Sequence, residues 1–176
     1  MVSNMYFQNF PNIYYTNEKN GNIRVVTNIL RRIGVRPAVQ TNGTAFSKYI
    51  VRNGETPESV AFNSYGDANL HYVILMVNDI HDRYHQWPMS VPQFQAFVND
   101  KYSDPDAVHH YEIDQVSGDT TVKINIGTDN TDHPTASAVT YVEYEENQED
   151  EKRTIKILQR GYVPQFVTEL KTLLKE

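Results

Sequence analysis

The chain has 176 residues, which suits one domain of good size or a smaller domain with extensions. It contains no cysteine, so disulfides and cysteine-ligated zinc or iron–sulfur sites are excluded. The net charge is −6 without a concentrated Lys/Arg stripe, so we expect no nucleic-acid partner. The start is neither basic nor continuously apolar, and no stretch approaches the roughly 20 apolar residues of a membrane span, so we expect neither a signal peptide nor a membrane partner.

The first 25 residues form an aromatic segment that fits no long helix and no long strand, because Asn and Gly interrupt it. Such a segment buries its apolar surface either by packing on its own domain or by docking on another subunit, and the sequence leaves both alternatives open. The residues of this candidate docking arm are Tyr6, Phe7, Phe10 and Ile13.

Two short elements are predicted next. Val26 to Ile33 reads as a short helix that Thr27 caps, with Leu30 and Ile33 facing inward. After a polar loop through Asn42 and Gly43, residues 46–51 are predicted as a strand.

A pair of helices follows this strand. Thr56 is a good N-cap, Pro57 suits the first helical position, and Gly66 suits a left-handed helix end. Asp67 then caps a second helix that is apolar nearly all round, which predicts that it is covered from two directions. The residues of its main apolar face are Leu70, Val73, Ile74 and Val77.

The C-terminal half mixes strands and helices. Ser90 and Gln93 form a capping box, and residues 109–126 alternate around a turn at 117–119 as a β-hairpin does. Residues 139–150 remain open between strand and helix, and residues 153–158 are predicted as a strand. The last predicted helix, 163–175, carries one apolar stripe and should therefore be docked on its own domain or on a neighbour. Candidate docking residues on this helix are Phe166, Leu170 and Leu173.

Candidate catalytic chemistry is sparse. His81 and His85 have the spacing of a helical metal pair, but they follow a helix end and have no Glu between them. A metal-dependent hydrolase that uses these histidines is therefore a minor alternative. We expect no catalytic site, no metal site and no cofactor, and we predict that the protein is not an enzyme.

Residues 49–80 resemble a LysM module, with a strand, a Gly-Glu-Thr turn, a capped helix, Tyr-Gly and a helix that ends in Asn. LysM domains commonly bind N-acetylglucosamine polymers, so the resemblance implies a groove for a glycan or a protein partner. The groove residues would be Gly54, Glu55, Thr56, Pro57, Asn78, Asp79 and Ile80. The second LysM strand, expected after Asn78, is hard to find at that place in the sequence, so either another strand of the chain completes the module or its carbohydrate groove is incomplete.

A wider resemblance covers nearly the whole chain. Four features resemble the small LysM-containing baseplate wedge protein of contractile-tailed (T4-like) bacteriophages. They are the start at Tyr6–Pro11, Asn28-Ile29 with Arg32, the segment from Tyr65 through Asp79 to Trp87, and Glu151–Leu158 before the last helix. That family implies a virion structural protein, assembled in the host cytoplasm, which clamps other wedge proteins and promotes wedge-to-wedge assembly around the hub. The implied partners are the trimeric wedge core, the small lysozyme-like wedge protein and neighbouring wedges. The alternative function is that of a LysM module that binds peptidoglycan or chitin.

The sequence therefore predicts an α+β protein in three parts. Residues 1–45 form an N-terminal arm, residues 46–90 a LysM-like module, and residues 91–176 a C-terminal α+β region with the hairpin and the last helix. The module would serve more as a surface that other proteins hold than as a glycan receptor.

Overall fold

The computed structural model describes residues 5–16, 21–35, 43–116, 118 and 121–175. The fold is α+β, as the sequence predicts. The strands are β1 (Asn12–Thr16), β2 (Ile23–Thr27), β3 (Phe46–Ile50), β4 (Val108–Asp114), β5 (Lys123–Gly127), β6 (Ser137–Thr140) and β7 (Thr154–Leu158). The helices are α1 (Pro57–Tyr65), α2 (His71–Val77), α3 (Arg83–Gln86), α4 (Val91–Lys101), α5 (Tyr141–Arg153) and α6 (Val163–Lys175), with 3-10 turns at Tyr6–Asn9, Ala68–Leu70 and Arg160–Tyr162.

The chain forms two compact units. The first comprises residues 1–87 together with 154–176, and the second comprises residues 88–153. The sequence predicts domain boundaries at 45/46 and 90/91, and whether these parts fold independently stays a prediction. The compact units differ from this division because β7 and α6 belong with the residues before Trp87 and not with the hairpin region. None of the described helices is both long and apolar enough to cross a membrane.

The first unit is built on an antiparallel pair of strands that are far apart in the sequence. β3 pairs with β7, with Phe46 opposite Leu158 and Ile50 opposite Thr154. β7 thus supplies the partner strand that the sequence does not offer directly after Asn78. Ile155 and Ile157 of β7 are buried and alternate with exposed residues, as expected for a strand with one face on a core, and Leu158 at its end is buried as well. The core side chains include Val51, Val60, Tyr65, Val73, Ile74, Val77, Trp87, Ile157, Leu170 and Leu174.

The helix α1 of this unit begins and ends where the sequence predicts. The Thr56 hydroxyl accepts a hydrogen bond from the Ser59 N–H at 3.2 Å, and the Ser59 hydroxyl accepts one from the Thr56 N–H at 2.9 Å. Gly66 ends α1 with φ +80°, a backbone conformation that glycine adopts without strain. Asp67 then accepts from the Asn69 N–H, but its helix opens as a 3-10 turn before α2 begins.

The predicted helix from Val26 to Ile33 is wrong. β2 occupies Ile23–Thr27 and pairs antiparallel with β1, and no helix follows it in the described part of the segment. Leu30, which was predicted to face inward, is 84% exposed, whereas Ile33 packs on the core. The β-branched run of Ile23, Val25 and Val26 favours an extended backbone, and pairing with β1 satisfies its backbone groups.

The second unit contains a three-stranded antiparallel sheet in the order β5-β4-β6, together with α4 and α5. The hairpin partners are β4 and β5, with Ile113 opposite Ile124. Ser117 and Asp119 of the predicted turn lie outside the described residues, whereas Gly118 has φ +84°. The open stretch 139–150 resolves into both alternatives, since β6 ends at Thr140 and α5 begins at the next residue.

Candidate docking surface

The β1–β2 ribbon of the first unit exposes apolar side chains on both faces. Every residue of both strands is exposed. The register places Tyr14 opposite Val25 and Thr16 opposite Ile23 on one face. Tyr14 is 81% exposed and Ile23 is 67% exposed. This face, which we call the outer ribbon face (Tyr14, Ile23 and Val25), is an apolar surface of the kind that marks interaction sites.

The opposite ribbon face is better covered. Ile13 pairs with Val26, and these side chains are 40% and 38% exposed, less than those of the outer ribbon face. Ile13 of the predicted docking arm therefore lies on the less accessible side of the ribbon. Because side chains alternate along a strand, Ile13 and Tyr14 point to different faces, and the sequence analysis named the residue on the more covered one.

The rest of the predicted docking arm divides between core and surface. Phe10 is buried in the core, and the Tyr6 ring lies 5.0 Å from Phe10 and 5.1 Å from Tyr72. Burial also raises the pKa of the Tyr6 hydroxyl. Phe7 is 63% exposed. Tyr6 and Phe10 thus anchor the arm on its own unit, while Phe7 remains accessible beside the ribbon.

The predicted docking residues on α6 are placed differently from one another. Leu170 is fully enclosed in the core, Phe166 is half-buried against it, and Leu173 is 43% exposed. The apolar stripe of α6 is therefore largely used within the first unit. Leu173 and the outer edge of Phe166 are what this helix offers to another protein.

The first half of the predicted groove is held by internal hydrogen bonds. The Glu55 carboxylate accepts from the Tyr49 hydroxyl at 2.9 Å and from the Arg52 N–H at 2.9 Å. Burial and this bond to Glu55 raise the pKa of Tyr49. The Glu55 carbonyl accepts from the indole N–H of Trp87 at 2.8 Å. Pro57 is buried and Gly54 turns the chain with φ +77°. These groups stabilise the turn before α1.

The second half of the predicted groove is equally occupied. The Asn78 side chain donates to the Ile74 carbonyl and to the Lys156 carbonyl, each at 2.8 Å. The Ile80 N–H donates to the Leu75 carbonyl, and the Ile80 side chain packs on the core. Asp79 has φ +56° and its carboxylate lies 3.1 Å from the His81 ring. The side chains of Glu55 and Asn78 are thus already hydrogen-bonded within the protein.

Two further residues, Arg83 and Trp87, link the parts of the first unit, and neither contact is predicted from the sequence. Arg83 forms an ion pair with Glu58 at 2.5 Å. Burial of Glu58 opposes ionisation, but hydrogen bonds from its own backbone and from Thr56, together with Arg83, lower the pKa of this carboxyl. Trp87 joins the turn at Glu55, as described above. The sole tryptophan of the chain was the available signal, since a lone Trp is usually at least partly buried.

The histidines do not form a metal site in the described part of the chain. His81 precedes α3 and pairs with Asp79, whereas His85 lies within α3 and pairs with Asp82 at 2.5 Å. Among the described residues, no group of three or more His, Asp or Glu side chains is arranged to hold a metal ion.

Comparison with known protein families matches residues 5–119 to the family of base plate wedge protein 53. The chain belongs to this family. The matched range includes the exposed ribbon, the helix pair and α4. Membership in the wedge protein 53 family gives the chain a structural role in the phage baseplate, a place in the virion tail and other baseplate proteins as partners. No curated protein matches the chain.

Proposed function

We propose that this protein is a clamp of the baseplate wedge, which holds other wedge proteins through the outer ribbon face and promotes the joining of wedges around the hub. The observation that carries the proposal is the exposure of both strands of the β1–β2 ribbon. An isolated two-stranded ribbon is marginally stable in water, and one with apolar faces gains stability when a partner covers it. The exposed ribbon is therefore better suited to a bound state than to a free one.

The partners follow from the wider resemblance. They are the trimeric wedge core, the small lysozyme-like wedge protein and neighbouring wedges, met during assembly in the host cytoplasm. Tyr6 and Phe10 support this role by fixing the base of the ribbon to the core of the first unit. A rigid base lowers the entropic cost of docking, because less of the chain has to be ordered on binding.

The LysM-like module serves as the scaffold of this clamp. The order strand, helix, helix, strand in β3, α1, α2 and β7 supports the resemblance, since β7 supplies the missing second strand. The internal bonds of Glu55 and Asn78 favour a protein-holding role over the alternative of peptidoglycan or chitin binding. A titration with chito-oligomers to millimolar concentration tests this choice, and saturable binding that Asn78→Ala abolishes without unfolding the protein would favour the glycan.

The clamp is tested with the double variant Tyr14→Asp/Val25→Asp, which places two charges opposite each other on the outer ribbon face. We expect binding to the purified trimeric wedge core and lysozyme-like wedge protein to weaken at least about tenfold, because charges would have to be desolvated. The control is Phe62→Asp, at another exposed aromatic side chain, on α1. Wild-type affinity in the double variant would overturn the assignment of this face.

Limited proteolysis is a second test of the same proposal. In the free protein, the first 25 residues should be cut before the rest of the first unit is, and addition of the wedge partners should protect them. Resistance of this segment equal to that of the core in the free protein would argue against a docking arm.

A further inference from the structure

The two units carry opposite net charges. Residues 88–153 contain fourteen Asp/Glu and four Lys/Arg, a net charge of −10. The remainder of the chain contains twelve Lys/Arg and eight Asp/Glu, a net charge of +4. Such a separation produces complementary fields between different copies of one protein, and it favours pairing of the first unit of one copy with the second unit of another.

A groove in the second unit combines apolar side chains with a rim of four carboxylates and one arginine, Arg153, which pairs with Asp150 at 3.2 Å. It lies between α4 and α5 and encloses about 540 Å³. Val91, Phe94 and Val98 contribute apolar side chains from α4. Asp106 and Glu146 lie at the groove, are exposed, and form no ion pair with any described residue. A groove of this kind fits an apolar side chain that is flanked by Lys or Arg.

One segment of the first unit has this composition. Ile29 and Leu30 are both strongly exposed and are followed directly by Arg31 and Arg32. The Asn28 N–H donates to the Pro11 carbonyl at 2.8 Å, and the Asn28 side chain accepts from the Leu30 N–H at 3.2 Å, so the segment is tied to the start of β1. Residues 21–35 contain no acidic side chain. Leu30 would contact the apolar side chains of the groove, and the two arginines beside it would face the carboxylates of its rim.

We propose that the groove between α4 and α5 of one copy receives the Ile29–Arg32 segment of a second copy. The contact deepens the proposed function, on which it rests, because it supplies a direct link between neighbouring wedges. It joins two different surfaces, so one copy can offer its groove to a second copy and its segment to a third, and repetition of the contact then produces a ring or a filament. In the baseplate, copies held at fixed positions would add this contact to those of their other partners.

The test is charge reversal on each side, read by sedimentation equilibrium of the full chain at low ionic strength over a wide range of concentrations. We expect the wild type to self-associate, and both Arg31→Glu/Arg32→Glu and Asp106→Lys/Glu146→Lys to weaken association at least about tenfold. An equimolar mixture of the two variants should regain association, because the reversed rim of one fits the reversed segment of the other. The control Lys171→Glu/Lys175→Glu changes net charge by the same amount as the first variant on α6 and should associate like the wild type.

Several outcomes would overturn the contact. A wild type that stays monomeric at all concentrations, reversed variants that associate normally, or a mixture that does not recover would each do so. A charge effect without dependence on concentration would also overturn it. The wedge-binding assay with Tyr14→Asp/Val25→Asp separates this result from the proposed function, since wedge binding can persist when contact between copies is absent.

Discussion

The side-chain amide of Asn78 hydrogen-bonds both backbone groups of Lys156. Its Oδ1 accepts from the Lys156 N–H at 2.7 Å and its Nδ2 donates to the Lys156 carbonyl at 2.8 Å, across 78 residues of sequence. The same Nδ2 also donates to the Ile74 carbonyl. One side chain thus caps the end of α2 and holds β7 beside it. It thereby joins the two sequence segments of the first unit, which the second unit separates along the chain.

Asn78→Ala should therefore lower the free energy of unfolding of the first unit. Three hydrogen bonds are lost and backbone groups of β7 lose their partner, so we expect a loss of about 2–4 kcal/mol in urea unfolding followed by Trp87 fluorescence. Asn63→Ala, an exposed asparagine on α1, is the control and should change the free energy by less than about 0.5 kcal/mol. Equal free energies of unfolding for the two variants would show that the hydrogen bonds of Asn78 do not stabilise the first unit.

Tyr72→Phe should stabilise the protein. The Tyr72 hydroxyl is buried and has no hydrogen-bond partner among the described residues. Removing such a group should raise the free energy of unfolding by about 1 kcal/mol, whereas Tyr84→Phe, at an exposed tyrosine, should leave it unchanged. A loss of about 1 kcal/mol instead would mean that the hydroxyl has a bonded partner in solution.

Tyr72 also predicts how stability responds to alkali. Burial first, and then the charge of Asp67 and Tyr6, raises the pKa of Tyr72 from 10.0 to about 12. The folded protein keeps this proton while the unfolded chain loses it near pH 10, so stability is present below pH 10.0 and falls as the pH rises toward about 12. In Tyr72→Phe, thermal unfolding measured across this interval should show a shallower decline than in the wild type. Parallel curves would exclude Tyr72 as a source of the decline.

Glu145 in the second unit predicts sensitivity to acid. Its carboxylate accepts from Lys101 Nζ at 2.7 Å and from the Tyr102 hydroxyl at 2.6 Å. Burial would raise its pKa, but these two bonds outweigh burial and hold the pKa of Glu145 below the usual 4.5. The stabilisation is therefore present above pH 4.5 and is lost as the pH falls through the lowered pKa. Glu145→Gln should be less stable than the wild type at neutral pH, with a difference that shrinks in acid.

Circular dichroism melts at neutral pH and at about pH 3 measure this difference. The control is Glu146→Gln, an exposed carboxylate next to it on α5, which should differ from the wild type by less than about 0.5 kcal/mol at both pH values. A difference for Glu145→Gln that grows in acid would contradict the assignment.

Variants of Leu170 and Leu173 distinguish the packing of α6 in the core from its docking on another protein. Leu170 is enclosed in the core, so Leu170→Ala should lower the free energy of unfolding by about 2–5 kcal/mol. Leu173→Ala removes a side chain that is nearly half exposed and should lower it by less than about 1 kcal/mol. If α6 also docks on another wedge protein, Leu173→Ala should weaken that binding while thermal stability is kept. Unchanged binding would leave α6 a purely internal element.

Local signals in the sequence were sufficient where structure is decided locally. The start of α1 at Pro57 and its end at Gly66 follow from capping and backbone conformation, which depend on a few adjacent residues. The helix predicted from Val26 failed because the outcome depends on pairing with β1, which overrides a weak periodic pattern. The pairing of β3 with β7 could not be predicted, since no local feature links strands that lie so far apart.

The docking surface was predictable only in outline. Aromatic composition identified the N-terminal segment, but the choice between Ile13 and Tyr14 requires the register of the ribbon, which the sequence does not contain. The groove residues Glu55 and Asn78 were identified by resemblance, and their internal bonds depend on Trp87 and Lys156, which are distant in sequence. Contacts of this kind follow from the complete fold.

The pairing of β3 with β7 has a consequence for synthesis on the ribosome. β3 emerges more than a hundred residues before its partner, which at roughly 5–20 residues per second leaves this strand unpaired for about 5–20 s. The second unit is contiguous in sequence and is complete before β7 is made, so it can fold while the first unit still waits. The nascent chain thus exposes an unpaired strand edge and the apolar ribbon at the same time, which makes it prone to aggregate. A translational pause before Thr154 would prolong this interval, and a truncation there would make the exposure permanent.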